Sequence, residues 1–397
     1  MKTTTKPSPT GYNHPNKSQS PKMSEKEILA ALALTRINYF HLAGIRQLYE
    51  ALGSATAIVE NIPNIRDIIP DISSKMMEGL RDVNTVMPRA EAELTYCQQH
   101  GIQPLVLNDP LYPHRLRECD DAPLVLFYKG TADLNQQRVI NIVGTRHCTV
   151  YGQDLVHRFI EDLKSMCPRV LIVSGMAYGV DICAHRNALQ QGYETVAVLA
   201  HGLDDLYPPR HRETANQMIH QGGLLTEHFT QTNADKINFV RRNRIVAGMS
   251  DAAIIVESAS KGGSLITARL SREYNRDTFA FPGAVGAPYS EGCNHLIRDN
   301  QAGLITSAED FVKAMGWQDD AQLQEAQQQG IERQLFPQLS ETEARIVAAL
   351  QQQNDQQINM LTVRTNLPIA KLTSTLFELE MKGVVKTLAG GMYHLLT

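Results

Sequence analysis

Three turns in this 397-residue chain place glycine or arginine directly after an apolar run, a spacing suited to anion chemistry. The apolar residues 170–173 lead into Ser174-Gly175, Gly179 follows, and a segment with helical spacing begins near Asp181. Strand, glycine turn and helix in that order expose backbone N–H groups at a helix N-terminus, where phosphate binds readily. Residues 252–256 lead to Glu257 and then Lys261-Gly262-Gly263-Ser264, a second glycine turn opening a helix. Its backbone and the Ser264 hydroxyl could take another phosphate. After residues 139–143 comes Gly144-Thr145-Arg146. Gly144 permits a tight turn and close backbone approach, and Arg146 offers a fork of donors matched to phosphate. A plain surface arginine after a turn is the competing reading.

The segment 235–246 carries Lys236, Arg241, Arg242 and Arg244 against one acid, a net +3. The whole chain is at −4, and the 22 N-terminal residues hold four lysines and no acid, so the remainder stands at −8. Such a body has no global attraction for nucleic acid, and any such binding must come from a local patch. Arg241 and Arg244 share a helix face. Phe239 lies near them and could stack on an unpaired base, worth ~1–3 kcal/mol. With Asn243 among the arginines, a functional patch is favoured over a core phenylalanine with solvated cations.

Asp181 and His185 are four residues apart and share a helix face, so a hydrolase could use them as a pair. A helix-N-terminal carboxylate and a packed histidine are the favoured alternative. Ser174 does not sit in a G-x-S-x-G elbow. There is no G-x-x-x-x-G-K-[ST], no G-x-G-x-x-G after a strand, and no metal-ligand spacing. The sequence therefore predicts no catalytic residues, no cofactor and no metal. The six cysteines form no C-x-x-C pair, no apolar run is long enough to span a membrane, and the N-terminus lacks an apolar signal region. A reducing, cytoplasmic setting is expected.

These turns need rigid elements behind them. Apolar runs at 124–127, 139–143, 170–173, 196–199, 224–226, 252–256 and 278–281 alternate with helical segments, which predicts an α/β, Rossmann-like, doubly wound and mostly parallel sheet. Ligands of such sheets bind beyond the carboxyl ends of the strands, where the three turns lie. Residues 1–22, rich in Pro, Ser, Thr and Lys, are expected to be a disordered tail. Residues 23–86 show helical periodicity and predict a small helix-hairpin-helix-like domain. The sheet domain is placed at 87–316. Residues 317–338 form a Gln-rich linker, with eight glutamines in 318–338. Residues 339–397 predict three short helices and a hairpin, a winged helix opened by a Ser340–Glu343 capping box.

The motifs I-V-G-T-R (142–146), Y-G (151–152), S-G-M-A-Y-G-V-D-I-C-A-H (174–185), A-V-L-A-H-G-L-D-D-L-Y-P (197–208), F-V-R-R-N-R (239–244), I-V-E-S (255–258), G-G-S-L-I-T-A-R-L (262–270) and F-P-G (281–283) occur in this order. Together they resemble the DprA/Smf family over about residues 110–315. The resemblance implies a cytoplasmic, non-enzymatic protein that binds single-stranded DNA and helps load RecA in natural transformation. It further implies homodimerisation through the Rossmann-like domain. It assigns phosphate contacts to Arg146 and Lys236 and an aromatic DNA contact to Phe239. The backbones of Gly175 and Gly262-Gly263 would join them. The expected DNA-binding set is thus Gly144, Thr145, Arg146, Ser174, Gly175, Lys236, Phe239, Arg241, Arg242, Asn243, Arg244, Gly262, Gly263 and Ser264. Residues 339–397 carry no net charge, which argues against strong DNA binding there and suits a protein contact. The alternative is a nucleoside-monophosphate hydrolase of the lysine-decarboxylase-like type. Those proteins normally carry P-G-G-x-G-T, whereas Lys261-Gly262-Gly263-Ser264 lacks the proline and the G-T end.

Overall fold

The computed structural model describes residues 23–38, 42–317, 339–354, 356–382, 384–388 and 392–395. They fall into two units divided at residue 318. The tail expected at 1–22 and the linker residues 318–338 lie outside the described residues.

The first unit is built on nine strands: β1 (Gln103–Val106), β2 (Val125–Gly130), β3 (Val139–Val143), β4 (Leu171–Ser174), β5 (Thr195–Val198), β6 (Gly222–Thr226), β7 (Ala252–Ile255), β8 (Asp277–Ala280) and β9 (Gly303–Leu304). Their order is β1-β2-β6-β5-β4-β3-β7-β8-β9. Only the β1–β2 and β2–β6 pairs are antiparallel. After the antiparallel edge strands β1 and β2, the parallel part starts at β3, winds outward to β6, then crosses to β7 on the other side of β3. The carboxyl ends of β3, β4 and β7 therefore meet at a topological switch point, the standard ligand position of such sheets.

The apolar runs follow from burial on both faces. Val139 and Val143 face one core, and Ile140 and Ile142 face the other. β4 repeats the alternation, with Val173 against the first core and Ile172 against the second. The second core is closed by Phe159, Ile160 and Leu163 of the helix Val150–Met166 and by Phe311 of Ala308–Ala314.

The helical region expected at 23–86 is not a unit of its own among the described residues. Leu32, Leu34, Ile45 and Leu48 share one core with Leu105 and Leu126 of the sheet. The helix Val83–His100 runs straight through the expected boundary and ends only at Gly101, in the left-handed conformation. Arg89 and Glu93 on that helix both bond Thr230 after β6, Arg89 through its carbonyl at 2.9 Å and Glu93 through its N–H at 2.8 Å. β1 and β9 were not expected from the sequence, being short edge strands, one of them containing Pro104.

The second unit has helices Glu341–Gln352, Ile358–Thr365 and Ile369–Met381, with β10 (Gln356–Gln357), β11 (Val385–Leu388) and β12 (Met392–Leu395) in the order β10-β12-β11. The Ser340–Glu343 capping box is formed in both directions. This is the expected winged helix.

Candidate nucleic-acid groove

At the switch point lies an open groove of about 670 Å³. Gly144, Thr145 and Arg146 form one bank, Gly262, Gly263 and Ser264 another, and Lys236, Phe239, Arg242 and Asn243 a third. The last four stand on the helix Lys236–Gly248, whose N-terminus opens into the groove. Its positive dipole end adds to the Lys236 charge. Arg146 and Lys236 are exposed and form no ion pair among the described residues. The Arg146 guanidinium lies over the Phe239 ring, 5.2 Å from its centroid, and Arg242 sits 5.9 Å from the same ring. Tyr207 meets Phe239 edge-on at 5.9 Å. Two free cations thus flank a half-buried ring held by cation–π and edge contacts, an arrangement that can take phosphates on the cations and a base on the ring.

The floor explains why the groove keeps its shape. Arg242 is 5% exposed and donates to the Val198 carbonyl and, at 3.3 Å, to Asn243 Oδ1. Burial pushes the Asp181 carboxyl above its usual range, against the pull of the Arg242 charge and of the Ala177 N–H at 3.4 Å. Gly175 lies directly over both: a Cβ there would stand 2.3 Å from Asp181 Oδ2 and 2.5 Å from Arg242 Nη2. His185 is fully buried between Thr195 Oγ1 (2.7 Å) and the Gly175 carbonyl (3.1 Å). Burial holds its pKa down at about 4, so the ring is neutral at pH 7. The one N–H of the neutral ring can be donated from Nε2 to the Gly175 carbonyl, while Nδ1 lies against Thr195 Oγ1, whose own proton goes to the Ile172 carbonyl at 2.8 Å. His185 is thus tied into the scaffold beneath the groove, and Asp181 forms part of the floor.

Gly179 interlocks two of the three turns. Its φ is +79°, and a Cβ would stand 2.1 Å from the Thr145 carbonyl. That carbonyl accepts from the Val180 N–H at 3.1 Å, and Ile182 N–H donates to Ala177 at 3.2 Å. Two N–H groups of this helix's first turn are therefore taken up inside the protein. The turn expected to bind phosphate mainly fixes the neighbouring Arg146 loop, and the Lys261–Ser264 turn is the more open one. At Gly263 nothing lies within 4 Å of where a Cβ would stand.

The structure does not bring every expected residue to the groove. Ser174 is fully buried, and its hydroxyl donates to the Ile142 carbonyl at 2.6 Å. Ser264 borders the groove, but its hydroxyl donates to Ser258 Oγ at 2.9 Å. Arg241 and Arg244 do share a helix face, but it is the face turned away from Phe239. They line a separate hollow with Arg36 and Asp121. Arg244 is fixed there by Glu227 and, at 2.7 Å, by the Asp121 carbonyl. The stripe facing the groove is Phe239, Arg242, Asn243 and Val246, the i, i+3, i+4, i+7 pattern that the sequence already carried. Tyr207, His147 and Tyr289 also line the groove. Tyr207 stands in the 197–208 motif but is not in the expected DNA-binding set. His147 and Tyr289 are far apart in sequence and gave no signal. The structure stacks their rings with centroids 5.9 Å apart.

Comparison with known proteins agrees with this architecture. Residues 103–316 match the family model for DNA recombination-mediator protein A, and residues 332–391 match the DprA winged helix domain. DNA processing protein DprA of Streptococcus pneumoniae is 39% identical over 204 residues, which cover 51% of this chain and 71% of that protein. Protein Smf of Escherichia coli is 32% identical over 313 residues, covering 77% and 80%. The X-ray structure of DNA processing protein A from Streptococcus pneumoniae matches with a TM-score of 0.60 at 31% identity, over 73% of this chain and 97% of that one. With its mediator domain and its winged helix both matched, the chain belongs to the DNA recombination-mediator protein A family, DprA/Smf.

Proposed function

We propose that the groove binds a single strand of DNA, with backbone phosphates on Arg146 and Lys236 and a base stacked on Phe239. The observation that carries this reading is the Arg146–Phe239 pair beside the exposed Lys236, one cation over a ring and one next to it. A duplex keeps its base faces inside the stack, so a ring set in a groove can meet only an unpaired base. The body of the chain is acidic, which leaves this local patch to supply the attraction. No bond chemistry is assigned to the site: His185 is fully buried beneath it, and Asp181, in the floor, accepts from the Ala177 N–H and lies beside the buried Arg242.

Family membership supports the wider role: a homodimer in the cytoplasm that hands the strand to RecA, as in natural transformation. Anisotropy titrations of the full chain against labelled single and double strands test the binding mode. Tighter single-strand binding is expected, reduced by Phe239→Ala. Equal affinity for both forms would contradict it, as would release of free base from nucleotides. The RecA role is tested by the rate of RecA filament assembly on a single strand with and without the protein. Acceleration is expected.

A further inference from the structure

We propose that a hollow next to the groove is a base-reading pocket, in which Glu257 accepts N–H donors from guanine, with adenine and cytosine weaker and thymine rejected. It rests on the single-strand reading above. The hollow holds about 520 Å³ and is walled by Tyr151, Tyr289, Pro282 and Pro288, with Glu257 reaching it from the turn just after β7. Flat, apolar walls of this kind suit the faces of a base.

Glu257 is 4% exposed. It accepts from Thr149 twice, at 2.6 Å from the hydroxyl and 2.8 Å from the N–H. No cation pairs with it among the described residues. A carboxylate offers about four acceptor positions, so roughly half remain. A buried carboxylate without a cation gains from any N–H donor that reaches it. It repels phosphate, so the part of a strand that fits here is a base and not the backbone.

Position supports the same occupant. Tyr289 lines both the groove and the hollow. Its ring lies at 27° to that of His147, the neighbour of Arg146, so ring surfaces lead from the phosphate-binding bank into the hollow. The Watson–Crick edges then rank the bases. Guanine presents N1–H and N2–H side by side to a carboxylate. Adenine and cytosine each present one amino group beside a ring acceptor. Thymine presents N3–H between two carbonyl oxygens that face the carboxylate unfavourably.

The test uses anisotropy at one salt concentration with a thymidine oligonucleotide of about 16 residues, and the same strand carrying one central dG, dA or dC. The dG strand should bind about tenfold tighter than the all-thymidine strand, since a paired base contact discriminates on that scale. Glu257→Gln should bring the ratio close to one. Ala287→Leu, which fills the hollow from its surface loop, should do the same without touching the carboxylate. A wild-type ratio near one overturns the pocket, as does a ratio kept in both variants. If the thymidine strand itself fails to bind, the groove reading falls and the pocket with it. If it binds and dG adds nothing, the pocket alone falls.

Discussion

The two faces of the helix Lys236–Gly248 carry cations with different fates. On one face Arg242 lies beneath Phe239, beside Asp181, with the exposed Lys236 at the helix start and Arg146 above the ring. On the other, Arg244 is held by Glu227 and Asp121, and Arg241 borders a hollow that the groove does not reach. The lesson is that a run of arginines is not a run of ligands. A guanidinium already engaged with buried protein atoms is scaffold, and one left free at a strand end is available to phosphate.

The sharpest way to break this distinction is to remove a scaffold arginine. Arg242→Ala removes the donor to the Val198 carbonyl and leaves a cavity under Phe239, and should cost about 2–5 kcal/mol in urea unfolding. Arg146→Ala should stay within about 0.5 kcal/mol of the parent. Equal effects would erase the difference between the two classes. Next in size is the pH response of the floor. His185 has a folded pKa of about 4 against an ordinary 6.5, so the unfolded chain takes up the proton first as pH falls. Its contribution, roughly 3 kcal/mol, is present above pH 6.5 and is lost progressively on the way down to about 4. His185→Gln should flatten that part of the Tm–pH curve, and an unchanged curve would show that the ring does not hold the Gly175 turn.

Smaller still is the effect of the ring itself. Phe239→Ala should weaken single-strand binding by ~1–3 kcal/mol and leave the salt dependence almost unchanged, since stacking releases no counterions. A large change in slope would mean that the ring mainly orients Arg146.

Much of this was legible in the sequence. The alternation of apolar runs and helices gave the doubly wound sheet, because strands buried on both faces cannot show polar alternation. Gly144-Thr145-Arg146 could be placed at this edge because it stands just beyond a strand's carboxyl end, whereas Lys236 and Phe239, ten and thirteen residues past β6, were joined to it through the family resemblance. The roles of the remaining cations were less legible. Arg241 and Arg244 were assigned with Phe239 by proximity along the chain, although helical spacing puts Phe239 with Arg242 and Asn243. The closed state of Ser174 depends on the Ile142 carbonyl, 32 residues away, and no local pattern carries that. The joining of the N-terminal helices to the sheet depends on Arg89 and Glu93 reaching Thr230, which no periodicity reports.

The most direct measurement is the salt dependence of single-strand binding for Arg146→Ala, Lys236→Ala and Arg241→Ala side by side. If the groove is the binding site, the log–log slope should fall by about 0.7 for each of the first two and stay near the parent value for Arg241→Ala. Unchanged slopes for Arg146→Ala and Lys236→Ala, with a loss for Arg241→Ala, would move the DNA to the other face of the helix.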